Sequence, residues 1–150
     1  MKERKIMPFD KNFAPALRFA VMSDIHIDDE DCIEEQRFAK ALDDLKKMCS
    51  SDERYSGFDA LVIVGDFASR GSEIQMRKVK KILDAGLPAD VRLIMTMASH
   101  EYMTDGEENA LRRFDEIFGL TPDTHAVING FDFIAVTTTG GCHFDDKKRE

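Results

Sequence analysis

The chain has 150 residues, of which 43% are hydrophobic and 33% are charged, and it contains 11 phenylalanines. This length and composition predict one domain with a hydrophobic core, and they exclude a disordered, collagen-like or coiled-coil protein. The formal charge of −8 argues against a nucleic-acid-binding or anionic-membrane-binding surface, because both require a cationic patch. Nucleic acid is therefore expected only as a substrate.

The sequence carries no targeting signal that we recognise. No apolar run approaches the roughly 20 residues that a membrane-spanning helix needs, and the basic residues near the N-terminus lead into no apolar segment. Cys32, Cys49 and Cys142 are too widely spaced for a paired motif, which favours reduced thiols. We therefore expect a cytoplasmic protein.

The first elements follow a short lead-in. Residues 1–16 contain Pro8 and Pro15, which interrupt regular structure, so we place the domain over residues 17–150. Phe19–Met22 is an apolar run that predicts a buried strand. Apolar residues at helical spacing then predict a helix over 31–49, with the acidic run 28–31 supplying its cap.

The middle of the chain repeats this alternation. Residues 61–64 and 93–97 predict two further buried strands. Between them, apolar residues from Ile74 to Leu83 predict a second helix that ends near Gly86.

The last third predicts a helix and a hairpin. Thr104 and Glu107 fit a capping box for a helix that Gly119 closes. Asn129-Gly130 separates two apolar runs and predicts the turn of a β-hairpin. Strands alternating with amphipathic helices indicate an α/β domain with a mostly parallel sheet, flanking helices and this late hairpin.

Polar residues follow each of the three predicted parallel strands. In open α/β sheets, ligands bind beyond the carboxyl ends of the strands, so these groups are expected at one edge. They are Asp24-Ile25-His26, then Gly65-Asp66 with Gly71 closing the loop, and then Ser99-His100-Glu101.

This donor set suits a divalent metal. Carboxylate and imidazole ligands without thiolates accept Mn, Fe or Zn, and a carboxylate such as Asp66 can bridge two ions. Two ions about 3.5–4 Å apart can clamp a phosphate and activate water, while His100 can protonate the leaving oxygen. Arg70 is a weaker candidate for contacting the substrate phosphate, with a plain surface arginine as the alternative.

Three motifs together resemble a known family. Each motif alone is common as a turn or cap, but all three fall at consecutive strand ends. In order and spacing they resemble the first three signatures of the calcineurin-like metallophosphoesterases, over about residues 18–140. The matching segments are Ser23-Asp24-Ile25-His26, Gly65-Asp66 with Gly71, and Ala98-Ser99-His100-Glu101.

The resemblance implies a fold and an activity. Members are two-sheet α/β/β/α sandwiches that hydrolyse phosphomonoesters or phosphodiesters with two divalent ions. By this resemblance Asp24 and His26 bind the first metal and Asp66 bridges, and these ions activate the attacking hydroxide. His100 then lies at the scissile phosphate as proton donor or charge stabiliser.

The sequence also departs from the family pattern. Ser99 stands where the family has an asparagine that ligates the second metal, and a serine hydroxyl is a poorer ligand. The later Gly-His and Gly-His-x-His motifs are not matched. We therefore expect the N-terminal portion of the sandwich, a truncated domain that holds one metal or none. An apolar sheet face is expected to be left for a missing C-terminal segment or a second copy to cover.

Two other functions remain open at this stage. A non-catalytic binding or scaffolding module would keep the fold without the metal centre, and Ser99 favours it. A receiver-like domain would use Asp66 as phospho-acceptor, but Asp24-Ile25-His26 supplies no adjacent acidic pair.

Overall fold

The computed structural model describes residues 13–53 and 55–138. Most of the predicted lead-in and Cys142 lie outside these ranges. The elements are β1 (Phe19–Met22), α1 (Ile33–Ser50), β2 (Ala60–Val64), α2 (Glu73–Gly86), β3 (Arg92–Thr96), a 3-10 helix (Ser99–Tyr102), α3 (Glu107–Phe118), β4 (Thr124–Ile128) and β5 (Phe131–Ala135).

The strands form two sheets. In the first, β1, β2 and β3 run parallel with β2 in the centre. In the second, β4 and β5 form an antiparallel hairpin, and its turn residues Asn129 and Gly130 have φ values of 52° and 83°. These positive angles are those of a hairpin turn of type I′. The predicted α/β fold with a mostly parallel sheet and a late hairpin is confirmed.

The core lies between one face of the parallel sheet and the helices. Leu61 and Ile63 of β2 and Met95 of β3 are buried on that face. They belong to one cluster with the apolar stripes of the helices, among them Phe38 and Phe114. Burial of these stripes, rather than intrinsic propensity, stabilises helices of this length.

The opposite face of the parallel sheet is only partly covered. Phe133 of β5 packs edge-on against Phe19, with ring centroids 5.3 Å apart. Val62 and Ile94 are buried, whereas Val21 and Val64 stay 55% and 45% exposed. The hairpin itself leaves Ile134 76% exposed and Val136 72% exposed. Exposed apolar side chains thus collect on this side of the described structure, and we call these residues (Phe19, Val21, Val64, Ile134 and Val136) the apolar face.

Two of the predicted caps are wrong. Helix α1 begins after Cys32, whose side chain makes no capping hydrogen bond, so the acidic run 28–31 does not cap it. The cap of α3 is Gly106, because the Thr104 hydroxyl instead donates to the carbonyl of Arg70 at 2.7 Å. Long-range hydrogen bonding has overridden a local pattern in the second case.

The C-terminal ends of α2 and α3 lie where the sequence predicted them, and α2 has a side-chain cap. The predicted stops are confirmed: α2 ends at Gly86, and Gly119 ends α3 in a left-handed conformation with φ of 64°. Helix α2 begins with a capping box, in which Ser72 and Gln75 bond each other's backbone N–H groups. No helix within the described residues is both long and apolar enough to cross a membrane.

A polar cluster ties the hairpin to the amino ends of the parallel strands. The Asp59 carboxylate accepts hydrogen bonds from the Tyr55 hydroxyl at 2.5 Å and from the backbone N–H of Arg18 at 2.7 Å. The Asn129 amide in the hairpin turn donates to the same carboxylate at 2.9 Å. Asp59 therefore joins residues that are far apart in sequence at the sheet edge opposite the candidate site.

Candidate metal centre

The strand-end loops adopt an unusual backbone conformation. Asp24, His26 and Asp66 have φ values of 54°, 53° and 49°, in the left-handed region that non-glycine residues seldom occupy. Such conformations cost free energy, persist only where surrounding contacts enforce them, and cluster at functional sites. All three residues were selected from the sequence as metal ligands.

Backbone hydrogen bonds hold the first two loops side by side. The N–H of His26 donates to the carbonyl of Asp66 at 3.1 Å, and the N–H of Ile27 donates to that of Phe67 at 3.0 Å. The N–H of Ser69 then donates back to the carbonyl of Ile27 at 2.9 Å. The parallel pairing of β1 with β2 therefore continues past the strand ends and brings His26 beside Asp66.

A buried carboxylate connects the second loop to the third. Glu101 is fully buried, and it accepts N–H groups from Asp66 at 2.9 Å, Ala68 at 3.0 Å and Ala98 at 2.9 Å. Burial raises the pKa of Glu101 above its usual value, and the nearby Asp66 carboxylate adds to this, although the three N–H groups oppose it.

The three loops bring together one group of metal-binding side chains. One ligand atom from each of His26, Asp66 and His100 lies within 4.8 Å of the others, and all three residues are half-buried. The rings of His26 and His100 meet edge-to-face with centroids 4.6 Å apart. Ligand atoms around one ion at about 2.0–2.2 Å lie up to about 4 Å from each other, which is close to the spacing of this group.

The donor chemistry also fits a divalent metal. Two imidazoles and a carboxylate are donors that suit a divalent metal, whereas the sequence predicted Asp24 rather than His100 as a ligand. The Asp66 carboxylate is oriented by the backbone N–H of His100, which donates to its Oδ1 at 3.1 Å. Such supporting hydrogen bonds are the usual second layer of a metal site.

The protonation of His100 follows from its partner. Its Nδ1 lies 2.7 Å from the carbonyl oxygen of Ser69, which can only accept a hydrogen bond, so Nδ1 carries a proton. The other ring nitrogen, Nε2, is then left to ligate a metal when neutral, or to donate a proton when charged. The Ser69 hydroxyl also donates to the carbonyl of His26 at 2.9 Å, which links both histidines through one serine.

Asp24 lies at the rim of this group rather than within it. Its Oδ1 is 3.9 Å from Nε2 of His26, and its Oδ2 accepts the Ser23 hydroxyl at 2.5 Å. The side chain of Asp24 is 68% exposed, and the residue is outside the set of three convergent ligands.

The other candidates occupy different places. Ser99 begins the 3-10 helix and is half-buried, whereas Arg70 is exposed in the loop after Asp66. Ala98, which precedes the 3-10 helix, has an extended backbone with φ of −129° and ψ of −164°. An open cleft of about 670 Å³ borders the site, lined by Asp24, His26 and the first turns of α1.

Two residues of the site had no assigned role from the sequence. Glu101 was noted only as the last residue of a motif, and Ser69 was not singled out. The sequence feature that could have drawn attention to Glu101 is an acidic residue in a segment that follows a predicted buried strand. Its partners are backbone N–H groups of other loops, which no sequence pattern reports.

The comparison with known proteins adds an independent line of evidence. A search of curated proteins finds no match to the chain. A family model described as calcineurin-like phosphoesterase matches residues 17–148, which is most of the chain. This match and the three strand-end motifs, found in the same order and at one sheet edge, show that the chain belongs to the calcineurin-like phosphoesterase family.

Proposed function

We propose that this chain is the metal-binding part of a phosphoesterase that hydrolyses phosphomonoesters or phosphodiesters. The observation that carries the proposal is the convergence of His26, Asp66 and His100 in a member of a family whose activity is metal-dependent phosphoester hydrolysis. Two of the three strand ends hold their ligands in left-handed conformations, which favours a site maintained for chemistry.

We assign the ligand roles to His26 and Asp66, which converge, and to Asp24 at the rim of the group, with Ser99 as a weak fourth. A divalent ion held there would supply Lewis acidity, lowering the pKa of a bound water and offsetting phosphate charge. Manganese is our first choice among Mn, Fe and Zn. Asp66 suits a bridging role, because its carboxylate is fixed by the His100 N–H while its backbone is fixed by Glu101.

We assign His100 the role of proton donor to the leaving oxygen. Its Nδ1–H is committed to Ser69, so a transferable proton can sit only on Nε2. As the alternative, His100 is a third metal ligand, because it belongs to the same convergent group as His26 and Asp66. We also propose that Arg70, which is exposed in the loop after Asp66, contacts the substrate phosphate.

We also propose how this part fits a whole domain. Residues 17–150 would form the metallophosphoesterase unit after a lead-in over 1–16, in a cytoplasmic protein. The apolar face favours a covering layer, either further sheet segments of the same sandwich or, as the alternative, a second copy of the chain.

The first experiment combines a Mn²⁺ titration by calorimetry with hydrolysis of an aryl phosphate. We expect saturable Mn²⁺ binding and turnover in the native chain. Asp66→Asn is expected to lose both, because an amide cannot replace the negative charge, while Asn still tolerates the left-handed backbone. Full activity of a folded Asp66→Asn variant would contradict the metal assignment.

A second variant separates the two roles of His100. If His100 is the proton donor, His100→Asn is expected to keep Mn²⁺ affinity and lose about 10²–10⁴-fold in turnover. If it is a ligand, both properties fall together.

A non-catalytic binding module is the second candidate. The observations that favour it are the rim position of Asp24 and the serine at position 99. A folded native chain with Mn²⁺ stoichiometry near zero and no turnover would support this reading over the enzyme.

A further inference from the structure

Glu101 lies directly beneath the two loops that carry Asp66 and His100. Both of its carboxylate oxygens are used: Oε2 accepts the N–H groups of Asp66 and Ala98, and Oε1 accepts that of Ala68. Within residues 13–53 and 55–138, no cationic side chain forms an ion pair with it. The buried charge is therefore compensated by backbone N–H groups, which makes those contacts costly to lose.

Glu101 is not itself one of the convergent ligands. Its oxygens point to backbone N–H groups, and it is outside the group formed by His26, Asp66 and His100. Its effect on that group must therefore act through the backbone.

The three N–H groups belong to two different strand-end loops. Asp66 and Ala68 follow β2, whereas Ala98 follows β3 and immediately precedes the 3-10 helix that contains His100. One rigid carboxylate joining both loops fixes the distance between them. The left-handed φ angle of Asp66 is the rotation about its own N–Cα bond, so the hydrogen bond from this N–H to Glu101 also helps to hold that angle.

Close packing leaves little freedom for this arrangement to shift. Gly71, at the end of the Asp66 loop, lies so near the Glu101 backbone that an added Cβ would be 1.9 Å from the Glu101 carbonyl oxygen. A Cβ added at Gly65 would likewise be 2.4 Å from the Cβ of Ala98. The two loops therefore touch on both sides of the carboxylate.

We propose that Glu101 is the positioning residue of the metal centre: by binding three N–H groups from two loops, it sets the separation of Asp66 and His100 and so controls metal affinity without contacting the ion. This inference rests on the proposed function for its metal readout. Residues that orient ligands in this indirect way typically change metal affinity by about 10–100-fold when replaced.

The test compares Glu101→Gln with Glu101→Asp and a matched control, Tyr102→Phe. Gln has the same shape but directs an NH₂ group towards backbone N–H donors. Asp keeps the charge but is shorter by one methylene. Tyr102 is the next residue and also buried, and its hydroxyl bonds Thr137 rather than either loop.

Two readouts are needed. In metal-free protein, amide hydrogen exchange by NMR reports directly on the N–H groups of Asp66, Ala68 and Ala98. Calorimetric Mn²⁺ titration reports on affinity. For Glu101→Gln we expect faster exchange at these three amides and a Kd raised about 10–100-fold. Glu101→Asp should fall between Gln and the native chain, and Tyr102→Phe should leave both readouts unchanged.

Several outcomes would overturn the proposal. One is a Glu101→Gln variant in which exchange at the three amides and Mn²⁺ affinity both equal those of the native chain. Another is a Tyr102→Phe variant that weakens Mn²⁺ binding as much as Glu101→Gln does. If Glu101→Gln fails to fold, Glu101→Asp carries the same comparison, and a native Kd there overturns it. If the native chain binds no Mn²⁺, the proposed function fails. The exchange data then test the inference separately: unchanged amide exchange in the Glu101 variants would show that Glu101 does not link the two loops.

Discussion

At the scale of single residues, Asp66 shows how a strained conformation is maintained. Its N–H is bound by Glu101, its carbonyl accepts from His26, and its carboxylate accepts from the His100 backbone. A left-handed aspartate costs free energy of order 1–3 kcal/mol, which these contacts from two other loops offset. The side chain is consequently presented to the site in one orientation.

Glycine at position 71 is required by space as well as by backbone angle. Gly71 has φ of 72°, and a methyl group there would overlap the Glu101 backbone. Left-handed backbone alone costs an alanine about 1–2 kcal/mol, and overpacking adds about 1–3 kcal/mol. We expect Gly71→Ala to lower the free energy of unfolding by about 2–5 kcal/mol in urea titrations.

Gly119→Ala is the control for this prediction. Gly119 has a similar φ of 64° but nothing within 4 Å of an added Cβ, so only the backbone cost of about 1–2 kcal/mol remains. Equal losses in the two variants would show that steric overlap at position 71 is relieved without cost.

At the scale of elements, the Asp59 cluster couples the hairpin to the parallel sheet. Burial pushes the pKa of Asp59 up, but hydrogen bonds from Tyr55, the Arg18 backbone and Asn129 together hold the pKa below its usual value. The same Asp59 contact raises the pKa of Tyr55. The lowered pKa of Asp59 favours its ionised carboxylate, and the raised pKa of Tyr55 favours the protonated hydroxyl that donates to it.

This arrangement predicts a pH dependence of stability. Because the folded-state pKa of Asp59 is depressed, its stabilisation is complete above the unfolded-state value of 3.8 and is lost as pH falls through the lower folded-state value. We expect Asp59→Asn to lower the free energy of unfolding by about 1–3 kcal/mol at pH 7. Urea titrations of both proteins from pH 7 to pH 3 check this.

The difference between native protein and Asp59→Asn should shrink as pH falls below the unfolded-state value of 3.8, because the unfolded chain then binds a proton more readily than the folded carboxylate does. Asp44→Asn is the control, because Asp44 forms only an exposed i,i+4 pair with Lys40, which contributes about 0.3–0.5 kcal/mol. A difference that is constant with pH would contradict the role of the Asp59 charge.

At the scale of the whole molecule, the two faces of the parallel sheet differ in burial. One face packs against the helices, whereas the opposite face is only partly covered and leaves Val21 and Val64 55% and 45% exposed.

Replacing exposed residues of the apolar face should leave stability almost unchanged. Ile134 and Val136 are 76% and 72% exposed, so lysine at both positions is expected to change the free energy of unfolding by less than about 1 kcal/mol in total. Binding of a fluorescent hydrophobic dye should fall. Ile94 is only 2% exposed, and Ile94→Lys is expected to unfold the chain. If dye binding is unchanged when Ile134 and Val136 are both replaced by lysine, the dye does not bind at these two residues and the prediction is contradicted.

The order of helices and strands could be predicted from the sequence, because it depends on the local periodicity of apolar residues. The strand at Phe19–Met22, the hairpin turn at Asn129-Gly130 and the stop at Gly119 lie where the pattern placed them. The failed prediction at Thr104 has a tertiary cause, since its hydroxyl bonds Arg70 from another loop.

The sequence also predicted that the polar residues after the three parallel strands lie at one sheet edge, since parallel strands bring their carboxyl ends together. Which of them converge was decided by the tertiary structure: His26, Asp66 and His100 meet, and Asp24 lies at the rim. The reason is physical. Distances between loops are set by hydrogen bonds to backbone groups, as Glu101 and Ser69 make them, and every residue carries the same backbone groups whatever its side chain.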